Sequence, residues 1–319
     1  MIGKGSQIMR AFVFPGQGSQ KVGMGRELAD ASVAAREVFQ EVDDALGQKL
    51  FGLMTQGPEE ALMLTENAQP AIMAHAIAVL RVIEKEGGIV LADKADFVAG
   101  HSLGEYSALC ASGAFSLADT ARLLKLRGQA MQAAVPFGVG AMAVLLGADM
   151  AKAAALAEAA AQGEICTIAN DNDPGQVVIS GHADAIARAC AMVKDFGIKR
   201  GMLLPVSAPF HCPLMQVAAD AMAQALDKTP PGALRVALFA NVTAAVATDP
   251  AQVQRLLVEQ VTGRVRWRET AIAMQAAGVE RVVEVGAKVL GPMITRSAPD
   301  VTVASVVSMA DIEALIKEL

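Results

Sequence analysis

Residues 98–109, VAGHSLGEYSAL, set Ser102 in a G-x-S-x-G frame between the apolar run Phe97, Val98, Ala99 and the helix-compatible run from Glu105 to Ala111. That order predicts a strand, a tight turn and a helix: a nucleophile elbow, with the serine Oγ exposed at the end of a sheet strand. Gly100 and Gly104 remove Cβ atoms where the strand and helix backbones meet, so the serine can occupy a strained turn. A purely structural glycine turn shares the frame. The flanking strand and helix favour the elbow, and with it an α/β-hydrolase-like arrangement around a parallel sheet.

The composition agrees with buried parallel strands. Of 319 residues, 53% are hydrophobic and 19% charged, with one Trp and one Tyr, so the core is aliphatic. A formal charge of -6 argues against a general polyanion binder, and nucleic acid is not an expected partner. Cys110, Cys166, Cys190 and Cys212 form no C-x-x-C pair and no ligand spacing with the four histidines. They read as reduced thiols of a cytoplasmic protein, with no metal site. The N-terminus lacks the apolar core of a secretory signal, and residues 1–8 read as a flexible extension or as lying ahead of a start at Met9. The most apolar helix candidate, from Ala71, is interrupted by His75 and Arg81 and is shorter than a membrane span.

Along the chain, a strand from Arg10 to Phe14 runs into the loop PGQGSQ and then a helix, a β-loop-α opening. Helices are expected over residues 24–31, 32–46, 58–64 and 69–85, before the elbow strand. Ser116 and Asp119 form a capping pattern for a helix reaching about Ala134. Residues 139–206 then alternate as strand, helix, strand, strand, helix, strand, with Pro174 and Gly175 turning the middle hairpin. This βαββαβ order predicts a ferredoxin-like subdomain over residues 137–206, inserted into an α/β-hydrolase-like large domain of residues 9–136 and 207–319.

A serine nucleophile needs a base. His75 lies on an apolar helix and reads as a satisfied core residue; His182 reads as a surface residue at a helix start; His101 adjoins the serine and is suited to lining the site. His211, in the loop SAPFHCPLM between Pro209 and Pro213, is the candidate base, against the alternative of a buried histidine bonded to backbone. No carboxylate to orient it stands out; Asp220 and Asp249 are the options, one on a helix face and one in a loop.

Arg127 is the anomaly. Its helical neighbours Leu123, Leu124, Ala130 and Met131 are apolar, so the guanidinium projects from an apolar face. It is either a structural salt bridge, a snorkelling side chain, or a clamp for a substrate carboxylate. The PGQGSQ loop has neither the Lys-Ser/Thr of a phosphate loop nor a dinucleotide fingerprint. Its position at a strand end suits an oxyanion hole made by the backbone N–H of Gln17 with that of Leu103.

Together FVFPGQGSQ, NAQPA, GHSLGEYSAL, KLRGQAM, GAMAVLLG, NDNDPGQVVISG, PFHCPLM and VRW resemble the malonyl-CoA:acyl-carrier-protein transacylases of fatty acid synthesis, over nearly the whole chain. The resemblance implies a malonyl-Ser102 intermediate, His211 as base, and the Gln260 backbone carbonyl as its orienting partner in place of a carboxylate. It implies that Arg127 pairs with the malonyl carboxylate, and that Gln69, His101, Phe210 and Asn170 line the substrate site. Leu103 and Phe210 resemble the malonyl-preferring pattern, whereas EVGAKVLGPMI departs from a P-G-K-type turn common in the family. The implied substrates are malonyl-CoA and a phosphopantetheinylated acyl carrier protein, with no cofactor and with the enzyme a monomer. Lys194, Lys199, Arg200, Arg264, Arg266 and Arg268 are candidate carrier contacts, or else ordinary solvated charges. The alternatives are a malonyl-specific acyltransferase of polyketide synthesis, a serine thioesterase or esterase, and a non-catalytic acyl-binding scaffold.

Overall fold

The computed structural model describes residues 8–206 and 208–319; the extension before them and Ser207 lie outside the described residues. Among the described residues ten strands form in chain order. They are β1 (Arg10–Phe14), β2 (Phe97–Gly100), β3 (Gly140–Leu146), β4 (Cys166–Asp173) and β5 (Gln176–His182), then β6 (Arg200–Leu203), β7 (Ala237–Ala240), β8 (Ala245–Ala247), β9 (Arg281–Val285) and β10 (Thr302–Val306).

The large sheet has the order β10-β9-β1-β2-β7-β8. Its pairings are parallel except at β8, which folds back antiparallel on β7. The first strand, with every residue after Arg10 buried, sits at the centre, as a strand covered on both faces must. Before β2 come α1 (Arg26–Ala31), α2 (Val33–Leu46), α3 (Leu50–Gln56), α4 (Glu59–Met63), α5 (Thr65–Gly87) and α6 (Leu91–Lys94). After it come α7 (Gly104–Ala111) and α8 (Leu117–Ala133), the latter capped by Ser116 Oγ accepting from the Asp119 N–H, as the sequence pattern predicts. One face of the sheet packs into a continuous apolar core with residues of α2, α5, α7 and α8. A second cluster on the other face joins Ala11, Val13, Ala99 and Phe239 to Trp267 and Met274.

The smaller sheet is antiparallel, ordered β4-β5-β3-β6, and carries α9 (Met150–Ala161) and α10 (Ala183–Met192) over its own core of Leu145, Leu156, Ile179 and Ile186. This is the strand order of a ferredoxin-like βαββαβ unit. The chain then returns through α11 (Gln216–Lys228), α12 (Pro250–Thr262), α13 (Trp267–Ala276), α14 (Leu290–Ser297) and α15 (Met309–Ile316). Two ion pairs tie the sheets together: Arg268 to Asp171 at 2.9 Å and Arg296 to Asp173 at 2.6 Å, each carboxylate buried. A backbone bridge between Asn170 and Val265 adds to them.

Several elements differ from the sequence reading. The helix expected from Gln69 begins at Thr65, with Pro70 inside it. The helix of residues 183–196 stops at Met192, and the strand of residues 200–206 at Leu203. The short edge strand β8, β10 and helices α3, α14 and α15 carry too few periodic residues to stand out in sequence.

Candidate active site

At the end of β2 the chain turns so tightly that Ser102 takes φ 54°, in the left-handed region where a residue with a Cβ is strained. A Cβ on Gly100 would lie 1.9 Å from the Gly104 carbonyl oxygen, and one on Gly104 2.3 Å from that of Phe14. Only glycine fits either place, which explains the frame. The turn is fastened to the next strand. Ser102 N–H donates to Asn241 Oδ1 at 2.8 Å, and Asn241 Nδ2 donates to the Gly100 carbonyl at 2.7 Å. Asn241 follows directly on β7, the neighbour of β2.

His211 also has a positive φ, 58°, and is 3% exposed. Its Nε2 lies 2.8 Å from Ser102 Oγ, and its Nδ1 lies 2.8 Å from the Gln260 carbonyl oxygen. A carbonyl only accepts, so Nδ1 carries the proton and the Nε2 lone pair faces the hydroxyl. Gln260 falls in the last turn of α12, where carbonyls have no partner further along the helix. Burial, reinforced by the Arg127 charge, lowers the His211 pKa to about 3. The imidazole is therefore neutral near pH 7, the state a base requires. Neither Asp220 nor Asp249 reaches it: Asp220 accepts from Gln216, and Asp249 caps α12.

Arg127 is 1% exposed on α8. Where α8 crosses α5, a Cβ on Gly128 would stand 2.6 Å from Glu66 Cα, and this close approach brings Arg127 to Gln69. Its Nη1 donates to Gln69 Oε1 at 2.8 Å; its Nη2 donates to Gln260 Oε1 at 2.8 Å and to Ser102 Oγ at 3.2 Å. Its Nε is buried without a hydrogen-bond partner, and its Cζ stands 5.7 Å from the Tyr106 ring centre. Among the described residues Arg127 makes no ion pair; all three of its hydrogen bonds go to neutral groups. This excludes the salt-bridge and snorkelling alternatives.

Gln17 and Leu103 flank the serine, Gln17 lining the pocket and Leu103 buried at 1% exposure. Among the described residues the backbone N–H of neither has a hydrogen-bond partner. The Gln17 side chain is held away, donating to Thr65 Oγ1 at 3.3 Å. His101 meets Asn172 Oδ1 at 2.9 Å and Asn170 Nδ2 at 3.4 Å through its Nε2, so the elbow touches β4 directly. Phe210, Asn170 and His101 line the same cavity, of about 230 Å³. Gln69 stands behind it as a partner of Arg127.

One of the other histidines departs from the sequence reading: His75 is buried, but among the described residues its Nδ1 has no partner, so it is not a satisfied core residue. His182 stands at the helix start where the sequence places it, half-buried at the N-cap of α10, its Nδ1 accepting from the Ile165 N–H at 2.9 Å. Three of the candidate carrier contacts are already paired: Arg264 and Arg266 with Glu269, and Arg268 with Asp171. Sequence reasoning missed Asn241, Asn172 and Glu105, and the pocket residues Met142, Val178, Leu204 and Met293. Asn241 had a signal: a polar residue at the carboxyl end of an apolar strand, where α/β sheets bind their ligands.

An elbow serine hydrogen-bonded to a neutral histidine, beside two free N–H groups and a buried cation, defines a serine acyl-transfer site. The chain matches the acyl transferase domain family over residues 11–310 and belongs to it. It is 42% identical to the malonyl CoA-acyl carrier protein transacylase of Salmonella typhimurium, over 97% of this chain and 99% of that one. The enzyme of that name from Bacillus subtilis is 43% identical, over 90% and 89%. Among solved structures, an acyl-carrier-protein-S-malonyltransferase from Bartonella henselae superposes with a TM-score of 0.95 at 51% identity, covering 98% and 99%. A malonyl-transacylase in complex with a type II polyketide-synthase acyl carrier protein gives 0.93 at 38%, covering 98% and 100%.

Proposed function

We propose that this protein transfers the malonyl group of malonyl-CoA to the phosphopantetheine thiol of an acyl carrier protein, through a malonyl-Ser102 ester, in fatty acid synthesis. The observation that carries the reading is Arg127: a buried cation that makes no ion pair among the described residues, 3.2 Å from the nucleophile. A plain esterase has no use for such a charge, whereas a carboxylated acyl group needs one. The names of the relatives support the same substrate pair.

His211 Nε2 takes the Ser102 proton as Oγ attacks the thioester carbonyl. The resulting imidazolium is steadied by the Gln260 carbonyl, which accepts from Nδ1. The Gln17 and Leu103 N–H groups receive the oxyanion, and the coenzyme A thiolate leaves with the proton from His211. The carrier thiol then enters, His211 takes its proton, the malonyl group moves to sulfur, and Ser102 Oγ leaves with the proton from His211, which restores the resting pair. Phe210, Asn170 and His101 bound the acyl group, and Gln69 fixes the guanidinium. The reaction needs no cofactor, since each half-reaction only moves the acyl group between a thiol sulfur and the Ser102 oxygen. Among the described residues no helix is long and apolar enough to cross a membrane, and all four cysteines are free thiols, which suits a cytoplasmic enzyme. Lys194, Lys199 and Arg200 are the cations left to greet an acidic carrier.

Intact mass after mixing with malonyl-CoA rises by one malonyl group, and Ser102→Ala abolishes the rise; an acylated mutant overturns the nucleophile. Arg127→Ala loses about 10²-fold or more in malonyl transfer while keeping reaction with neutral acyl thioesters. Unchanged malonyl preference in that variant overturns the clamp.

A further inference from the structure

Among the described residues Arg127 touches no carboxylate, yet one lies a single side chain away. Glu105, the second residue of α7 and 1% exposed, accepts from Gln260 Nε2 at 2.7 Å and from the Asn241 N–H at 3.2 Å, both through Oε2. The other end of the Gln260 amide accepts from Arg127 Nη2 at 2.8 Å. Guanidinium, amide and carboxylate thus form one chain, with the amide dipole aligned between the two charges. The second oxygen of Glu105, Oε1, is buried with no hydrogen-bond partner. In a carboxylate so poorly solvated, two hydrogen bonds and the field of Arg127 favour the ionised form against the cost of burial. Burial pushes its pKa up to about 7, against the pull of Gln260, Asn241 and Arg127.

We propose that Glu105 is the resting counter-charge of Arg127, coupled to it through the Gln260 side chain, and that it takes up a proton when a carboxylated acyl group docks on the guanidinium. The inference rests on the reading of Arg127 as the partner of the malonyl carboxylate. It makes Glu105 a positioning residue that sets the charge selectivity of the pocket. With malonyl present, two carboxylates share one buried guanidinium, and the one with a bare oxygen is the one to be neutralised. The proton comes from solvent and ends on a Glu105 oxygen; no bond between heavy atoms forms or breaks. The charged or titratable neighbours whose fields act between Glu105 and its surroundings are Arg127 on α8 and Tyr106 on α7. Strands β2 and β7 carry no ionisable residue, β1 carries only Arg10 at its far end, and no group on α5 acts on Glu105.

The test counts protons. Ser102→Ala protein is titrated with malonyl-CoA and with acetyl-CoA by calorimetry near pH 7.5, in buffers of different ionisation enthalpy. Malonyl-CoA takes up most of one proton more than acetyl-CoA, and adding Glu105→Gln, which keeps the acceptor to Gln260 without the charge, removes the difference. In the active enzyme the KM for malonyl-CoA rises about tenfold from pH 6 to pH 8, and Glu105→Gln flattens that slope. Equal uptake for the two thioesters, or uptake that survives Glu105→Gln, overturns the inference. If the double variant does not fold, the comparison of the two thioesters on Ser102→Ala alone decides. Failure of the underlying reading shows separately, as malonyl preference retained in Arg127→Ala.

Discussion

Around Ser102 the wall of the pocket that grows from the six-stranded sheet is polar and fastened atom by atom, with Met63, Phe210, Val289, Leu290 and Met293 adding hydrocarbon beside it. The wall that grows from the four-stranded sheet is mostly apolar. On the first, Ser102, His211, Arg127, Gln260, Asn241 and Glu105 form one connected hydrogen-bond network with spacings of 2.7–3.2 Å along its main links. On the second, Met142, Val178 and the Leu204–Val206 segment present hydrocarbon, while Asn170 and Asn172 reach across to His101. The contrast assigns two tasks. Chemistry needs reacting groups held in place, and a buried, hydrogen-bonded network around Ser102 and His211 supplies that. Excluding water from an acyl ester needs only bulk, and a separate small core can carry that bulk without disturbing the elbow.

The largest way to break this contrast is His211→Ala. Loss of the base on the serine lowers the acylation rate by about 10³-fold, read by stopped-flow loss of malonyl-CoA on protein shown by circular dichroism to be folded. A comparable loss from any substitution on β3 or β5 refutes the division of tasks. Next in size is Asn241→Ala, which touches no substrate. It strands the Ser102 N–H and the Gly100 carbonyl and costs about 2–4 kcal/mol in unfolding free energy, with a drop in kcat at nearly unchanged KM. A smaller effect is expected from Met142→Ala. Acyl transfer persists at close to the original rate, but hydrolysis of the malonyl-enzyme, measured as malonate release without carrier, increases severalfold. Unaltered hydrolysis would mean that the apolar wall does not keep water out.

The same division governs how much could be read from sequence. The elbow was legible because Gly100 and Gly104 are demanded by backbone contacts of 1.9 and 2.3 Å, so covalent geometry wrote itself into residue choice. Arg127 was legible because a charge on an apolar helix face violates helical periodicity. The order of the small unit followed from alternating strand and helix patterns and a Pro-Gly turn. Glu105 was not legible, and Asn241 only as a polar residue closing an apolar strand. Their significance is in the hydrogen bonds they make to residues more than a hundred positions away, and a glutamate in the first turn of a helix is unremarkable in itself. Strand β8, three residues long, and the short helices near the C-terminus lacked the length that periodicity needs.

The smallest effect sharpens the comparison because it concerns charge state alone. An exposed histidine would lose half its basic form near pH 6.5, and acylation would fall below that point. On the polar wall, burial and the nearby Arg127 hold His211 at about 3, so the base stays neutral as the medium is acidified. The first-order acylation rate at saturating malonyl-CoA is therefore expected to change less than about twofold between pH 5 and pH 7. The sign for stability is opposite to that of a histidine in an ion pair. The unfolded chain gains a proton on His211 below about pH 6.5 and the folded protein does not, so stability is lost as pH falls, by about 2 kcal/mol at pH 5. Urea midpoints should record that loss, and His211→Gln should reduce it, while the acylation rate of the parent protein stays level over the same range. An acid limb in the rate at pH 6.5 would mean that the polar wall admits water to His211, and the two walls would no longer differ in the way that separates chemistry from cover.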